Sequence, residues 1–233
     1  EHTDRSFASK VNCFNMAFRT LKNIEYDIIG NLDADISFDH EYFEYLLKMF
    51  AQNPQLGVAG TPFIESALQA YDYRFTNIEH VSGACQLFRK QCFFEIGGYK
   101  PVKHGGIDWI AVTTARMQGW QTRTFTEKTC THHRPIGRGH HNTLKTKFRY
   151  GQKDYLLGGH PLWQIFRAVY QMKSRPYVIG GLFLLSGYAW SALLHAKRPI
   201  SEELMRFHRS EQIKRLKKSA SRLFPFAFAR QDP

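Results

Sequence analysis

The stretch YDIIGNLDADISFD, residues 26–39, carries a β-rich apolar run into two carboxylates, Asp33 and Asp35, and returns at once to apolar sequence. A short apolar run of this kind reads as a buried strand, and a strand that stops on acids delivers charge to the rim of a sheet. Two carboxylates separated by one residue repel unless water or a cation lies between them, so the segment asks for a counter-ion. The flanking pattern widens this to a fold class. Phe7, Val11, Phe14, Phe18 and Leu21 recur every three or four residues, which predicts an amphipathic helix over 5–22. A second helix is predicted over 40–52, with Phe43, Leu46, Leu47 and Phe50 on one face and Asn53-Pro54 as its stop. LGVAGTPFI, residues 56–64, reads as the next strand. Helix, strand, helix, strand at these lengths predicts an α/β architecture with a mixed, mainly parallel sheet flanked by helices.

Further along, a helix is predicted from Trp109 to about Gln118, with Asp108 in the N-cap position and Gly119 just past its end. QTRTF and EKTCTHH alternate like strands, and from about residue 142 the pattern is wholly helical. PYVIGGLFLLSGYAWSALLHA, residues 176–196, has no formal charge and is bounded by Arg175 and Lys197. Its length suits a bilayer, whereas its glycines, serines and histidine suit a packed or interfacial helix, and both readings stand. The expected organisation is a catalytic domain over 1–155, a helical, hydrophobic, membrane-associated segment over 156–196, and a basic helical tail over 197–233.

Composition limits the partners. With 43% hydrophobic and 15% aromatic residues the chain is globular in character, and its net charge of +12 calls for an anionic partner. From Lys197 onward ten Lys and Arg face four acids, so half of that charge sits in the tail, where an anionic leaflet would receive it. The tail lacks the interleaved aromatics of a base-stacking surface, which argues against nucleic acid. Cys13, Cys85, Cys92 and Cys130 form no C-x-x-C and no dense framework, as expected of free thiols in a reducing compartment. Cys130 with His132 and His133 is a conceivable zinc set, but its spacing fits no standard finger.

Three counter-ion schemes fit the acids. One is a simple acidic turn. Another is a calcium loop, since DADISFDHEYFE places oxygens at positions 1, 3, 5 and 7 and ends on Glu44; Phe38, however, stands where such a loop needs glycine. The third sets a divalent cation between a carboxylate and a diphosphate, with Mg²⁺ or Mn²⁺ neutralising a leaving group at the carboxyl end of a strand.

The order NLDAD, SGACQLFRKQCFFEIGGY, GIDWIAVTTARMQGW and a strand ending in THHR resembles family 2 glycosyltransferases of the GT-A fold, and KVNCFN resembles their helix before the D-x-D. The resemblance covers residues 5–155 and implies an inverting, metal-dependent sugar transferase. It further implies that Asp33 and Asp35 are the D-x-D, with Asp35 nearest the metal, and that His132 or His133 is a further metal or diphosphate ligand. Lys10 and Asn15, with Arg134 and Arg138 on the following basic loop, fall among the donor-binding positions. Asp108 stands where such enzymes carry their catalytic base, although Ile107 replaces the glutamate that normally precedes it. The first nucleotide-binding strands of the family are missing ahead of Glu1, so an N-terminally incomplete chain is expected to bind donor poorly by itself. No Q-x-x-R-W follows THHR, which favours transfer of a single sugar over processive synthesis. The implied partners are a UDP- or GDP-linked sugar, a glycan or lipid-linked acceptor, and the cytoplasmic face of the cell membrane. A nucleotidyltransferase on a related fold and a non-catalytic membrane-surface module are the alternatives.

Overall fold

In the structure, a computed structural model, the described residues are 7–65, 68–69, 77–103, 105–133, 143–173 and 175–223. The chain divides into two compact units, residues 1–138 and 139–233.

The first unit begins with helix α1 (Phe7–Thr20), followed by strands β1 (Ile28–Leu32) and β2 (Ile36–Ser37) and helix α2 (Tyr42–Gln52). Strands β3 (Leu56–Gly60), β4 (Phe63–Glu65), β5 (Leu68–Gln69) and β6 (Cys85–Arg89) come next, then helices α3 (Lys90–Glu95) and α4 (Ile107–Met117), and last β7 (Gln121–Thr124) and β8 (Cys130–His132). Two four-stranded sheets result, in the orders β1-β6-β3-β7 and β2-β8-β4-β5.

The expected mainly parallel sheet is corrected here. In each sheet two of the three strand pairs are antiparallel. In the first sheet the cause is one inserted strand: β1 and β3, linked through α2, run the same way, and β7 runs parallel to β3. β6 is slotted between β1 and β3 and runs against both. The apolar run 56–64 also divides, because β3 ends at Gly60 and the chain passes Pro62 into the second sheet as β4. It then returns to the first sheet as β6, which starts beside the end where β3 stops and so runs against it.

Alternation along the central strands sorts side chains to two cores. Phe88 and Val58 face a cluster with Val11, Phe93, Ile96 and Val112. Their neighbours Leu87 and Ala59 face the other side, with Tyr42, Leu46 and Phe50 of α2. Arg89 joins strand to helix by donating to the carbonyls of Leu56, Phe50 and Asn53, which occupies acceptors left open at the end of α2.

The second unit is α5 (Thr143–Leu156), α6 (Pro161–Gln171), α7 (Tyr177–Leu193) and α8 (Glu202–Leu223). Glycine permits the α5–α7 crossing: a Cβ on Gly151 would lie 2.0 Å from the Leu184 carbonyl oxygen, and one on Gly187 would lie 2.0 Å from that of Phe148. Tyr188 donates to the Gly159 carbonyl, and Arg209 donates to that of Gly158. No described helix is long and apolar enough to cross a membrane.

Candidate active site

The end of β1 places the acids. The Asp33 N–H donates to the Ala84 carbonyl at 2.9 Å, so the backbone leaves β1 still anchored beside β6. Asn31, one residue pair earlier, donates through Nδ2 to the Gly83 carbonyl at 3.3 Å. The chain then turns into β2, whose pairing with β8 sets Ile36 opposite His132. On the other side of β8, β4 runs parallel in the register Ile64 to Thr131, which brings Glu65 level with His132. Two short strands therefore deliver carboxylates to both flanks of one histidine.

His132 is 8% exposed, and its nitrogens divide between those flanks. Nε2 lies 3.5 Å from Asp35 Oδ1, and Nδ1 lies 3.1 Å from Glu65 Oε1 without the alignment of a hydrogen bond. Ligand atoms of Asp33, Asp35 and His132 all fall within 4.8 Å of one another. Two carboxylate oxygens and an imidazole nitrogen at this spacing suit a divalent cation with open positions for other oxygen ligands.

The two histidines that the sequence left undivided separate here. His133 is exposed, and its Nε2 is 2.9 Å from the Ser37 hydroxyl. Its backbone N–H donates to the Asp35 carbonyl at 2.8 Å, so it steadies the loop and lies outside the cluster. His132 is the last residue of β8 and His133 follows it, and because consecutive residues of an extended chain point to opposite sides, only one of the two faces the acids. Cys130 is also outside it, buried in the core with its thiol toward the Pro62 carbonyl. The calcium-loop pattern is interrupted by β2, which places residues 36 and 37 in a sheet.

Asp33 faces a second feature, a cavity of about 180 Å³ that it shares with Lys10, Asn31, Ser82, Tyr99 and Asp108. That volume is below the few hundred cubic ångströms of a drug-sized ligand site, so the enclosed part takes one small group. Lys10 of α1 is paired with Asp33 Oδ1. Asn15, one turn further along α1, does not line the cavity. Asp108 enters from the opposite element. It is the second residue of α4, whose N-cap is Gly106 at φ 90°, so Asp108 is not the cap that the sequence suggested. In the first turn its carboxylate still meets the positive end of the helix dipole. A Cβ on Gly83 would lie 3.0 Å from Asp108 Cβ and 3.4 Å from its Oδ2, so the bare glycine makes room for that side chain.

The floor of the cavity is a buried polar chain. Tyr99 donates to Gln86 Oε1 at 2.6 Å, and Gln86 donates onward to the Val81 carbonyl at 2.8 Å. Burial, and then the charge of Asp108, pushes the Tyr99 hydroxyl well above its ordinary range, so it stays a neutral donor. Beneath Asp33, burial raises the Cys85 thiol to about 12, which removes it as a nucleophile.

Glu65, Gln86 and Tyr99 were not singled out in the sequence. Glu65 carried a usable signal, because it ends the apolar PFIE run as Asp33 ends its own. Arg134 and Arg138 lie outside the described residues.

No protein-family profile and no curated protein matches the chain. Among solved structures, the mannosyltransferase PcManGT from Pyrobaculum calidifontis, in complex with GDP-Man and Mn2+, is similar over 97% of this chain and 69% of its own, at 16% identity and a TM-score of 0.46. A likeness of that degree carries no argument about activity, which rests instead on the residues.

Proposed function

We propose that this chain transfers a single sugar from a nucleotide-sugar donor to a glycan or lipid-linked acceptor, with inversion, in the manner of family 2 glycosyltransferases of the GT-A fold. One observation carries the reading: Asp33 belongs both to a three-residue cation cluster and to a cavity that a third carboxylate, Asp108, enters from another element. Asp33, Asp35 and His132 would hold Mg²⁺ or Mn²⁺. The chemistry a bound cation supplies there is neutralisation of charge on a departing nucleoside diphosphate.

The chain's own groups do the rest. Lys10, already against Asp33, adds a positive charge at the diphosphate side of the cavity. Asn31, Ser82 and Tyr99 present hydrogen-bonding groups to the sugar. Asp108 accepts the proton of the acceptor hydroxyl as that oxygen bonds to the anomeric carbon and the bond from that carbon to the diphosphate oxygen breaks. General-base help of this kind is worth roughly 10²–10⁴-fold.

The test compares the full-length protein with its Asp108→Asn variant, offered UDP- and GDP-sugars with Mn²⁺ and lipid or glycan acceptors. Wild type should release nucleoside diphosphate, and the variant should keep donor and Mn²⁺ binding while losing transfer. Undiminished turnover in Asp108→Asn would remove the base from this scheme, and release of pyrophosphate in place of the diphosphate would assign the site to nucleotidyl transfer.

A further inference from the structure

The second unit packs with the polarity of its surfaces inverted. A helix in water normally buries its large apolar side chains and exposes its polar ones. In α7 the inward positions are Gly180, Gly181, Leu184, Gly187, Tyr188 and Ser191, mostly small residues set against neighbouring backbone. The outward positions are the large ones: Ile179, Leu182 and Trp190 are each more than half exposed, and Leu193 is 74% exposed. α6, joined to α7 by a short connection, does the same. It buries Gln164 and Ala168 and turns Leu162, Ile165 and Val169 outward, at the three- and four-residue spacing of one helical face. Small residues at helix contacts with large apolar residues outside is the arrangement of helices solvated by lipid, where the medium and not the neighbouring helix takes up the apolar side chains.

Length and charge decide how lipid would meet this face. The 11 residues of α6 and 17 of α7 give rises of about 16 and 25 Å, short of a bilayer's hydrocarbon core of roughly 30 Å. Residues 176–196 hold no formal charge, whereas exposed Lys173, Arg175 and Lys197 stand at their two ends, where long cationic side chains reach a headgroup layer. Residues 139–233 hold 17 Lys and Arg against 5 Asp and Glu, while residues 1–138 hold 15 of each, so the whole net charge of +12 belongs to the unit with the apolar face. Exposed Tyr170, Tyr177 and Trp190 have the amphipathic rings that favour the interface.

We infer that the outward face of α6 and α7 docks in the plane of an anionic phospholipid surface, its apolar stripes in the acyl boundary and its flanking cations among the headgroups. This stands on packing and charge alone and is independent of the catalytic reading above.

The experiment is flotation of the full chain with vesicles of phosphatidylcholine alone and of phosphatidylcholine mixed with phosphatidylglycerol. Wild type should float with both and more strongly with the anionic mixture. Changing Ile179, Leu182, Trp190 and Leu193 together to Gln should reduce partitioning to both vesicles by at least about tenfold, with the helical circular dichroism unchanged because all four side chains are outside the core. Changing Lys173, Arg175 and Lys197 to Gln should lower partitioning to the anionic vesicles by roughly fivefold per cation and leave phosphatidylcholine binding as it was. A wild-type chain that floats with neither vesicle overturns the inference. So does a four-residue variant that floats like wild type and is released by salt, since α8 charge would then suffice. A dimer in light scattering that this variant dissociates, without vesicle binding, assigns the face to a second copy.

Discussion

Replacing Glu65 by Ala should weaken Mn²⁺ binding to the Asp33, Asp35 and His132 cluster by roughly 10–100-fold, about 1.4–2.7 kcal/mol. The figure follows from how the ring is held. Nδ1 faces a Glu65 oxygen at 3.1 Å and Nε2 faces an Asp35 oxygen at 3.5 Å, so the negative charge of Glu65 favours the tautomer protonated on Nδ1, which leaves the lone pair of Nε2 for a cation. Without Glu65 the remaining acids draw the proton to Nε2, and the ligand tautomer becomes the minor one. The ring itself should stay in place, since it is packed against Phe63 at 5.7 Å between centroids, so the loss is of orientation and charge and not of the pocket. Loss of the Mn²⁺ paramagnetic resonance signal on titration measures this without donor or acceptor. In a His132→Ala background, Glu65→Ala should cost less than about 0.5 kcal/mol, because a residue that acts through another has nothing left to act on. Equal losses in both backgrounds would mean that Glu65 contributes only one more negative charge, and the positioning argument would fail. His133→Ala should leave the affinity within about twofold of wild type; a loss matching that of His132→Ala would overturn the choice between the two histidines.

Gly83→Ala should lower turnover by about tenfold with Mn²⁺ affinity unchanged, since the new methyl meets Asp108 Cβ at 3.0 Å and shifts the carboxylate by a few tenths of an ångström; a kcat equal to wild type would show that Asp108 needs no such placement. His160 caps α6 by accepting the Leu162 N–H on Nδ1, and burial, then the charge of Arg209, lowers its pKa. A depressed folded value means that this stability is present above the unfolded pKa of about 6.5 and is lost as pH falls through the folded one. The melting temperature of His160→Asn, whose cap does not titrate, should therefore fall less than that of wild type from pH 7 to 5, and parallel curves would contradict the linkage. Of the four free thiols only Cys13 is exposed, and burial holds Cys85 and Cys92 up at about 12, so a thiol reagent should modify one residue quickly in the folded chain and all four after unfolding. Gly187→Ala should destabilise the helical unit by about 1–3 kcal/mol in urea denaturation, because its methyl would overlap the Phe148 carbonyl; an unchanged midpoint would show that α5 and α7 can separate freely.

Local chemistry made much of this chain legible. The helix ending at Asn53, the strand that stops on Asp33 and the turn at Gly119, φ 91°, each follow from residues within a few positions of one another. The carboxylate pair was visible as a chemical demand because two like charges at the end of an apolar run need an explanation wherever they occur. Asp108 could be placed on a helix start, but its true depth in the first turn depends on the left-handed Gly106, which the sequence leaves ambiguous.

What the sequence by itself determined is the set of elements and the residue types at their ends, since hydrophobic period and capping act over one or two turns. Tertiary structure alone decided the rest. It slotted β6 between two parallel strands, chose His132 over His133, and brought Glu65 level with that ring. It also turned the large side chains of α6 and α7 outward. Each of these is a pairing between segments far apart in the chain, and strand register or helix rotation is set by which faces meet, information that no single stretch contains.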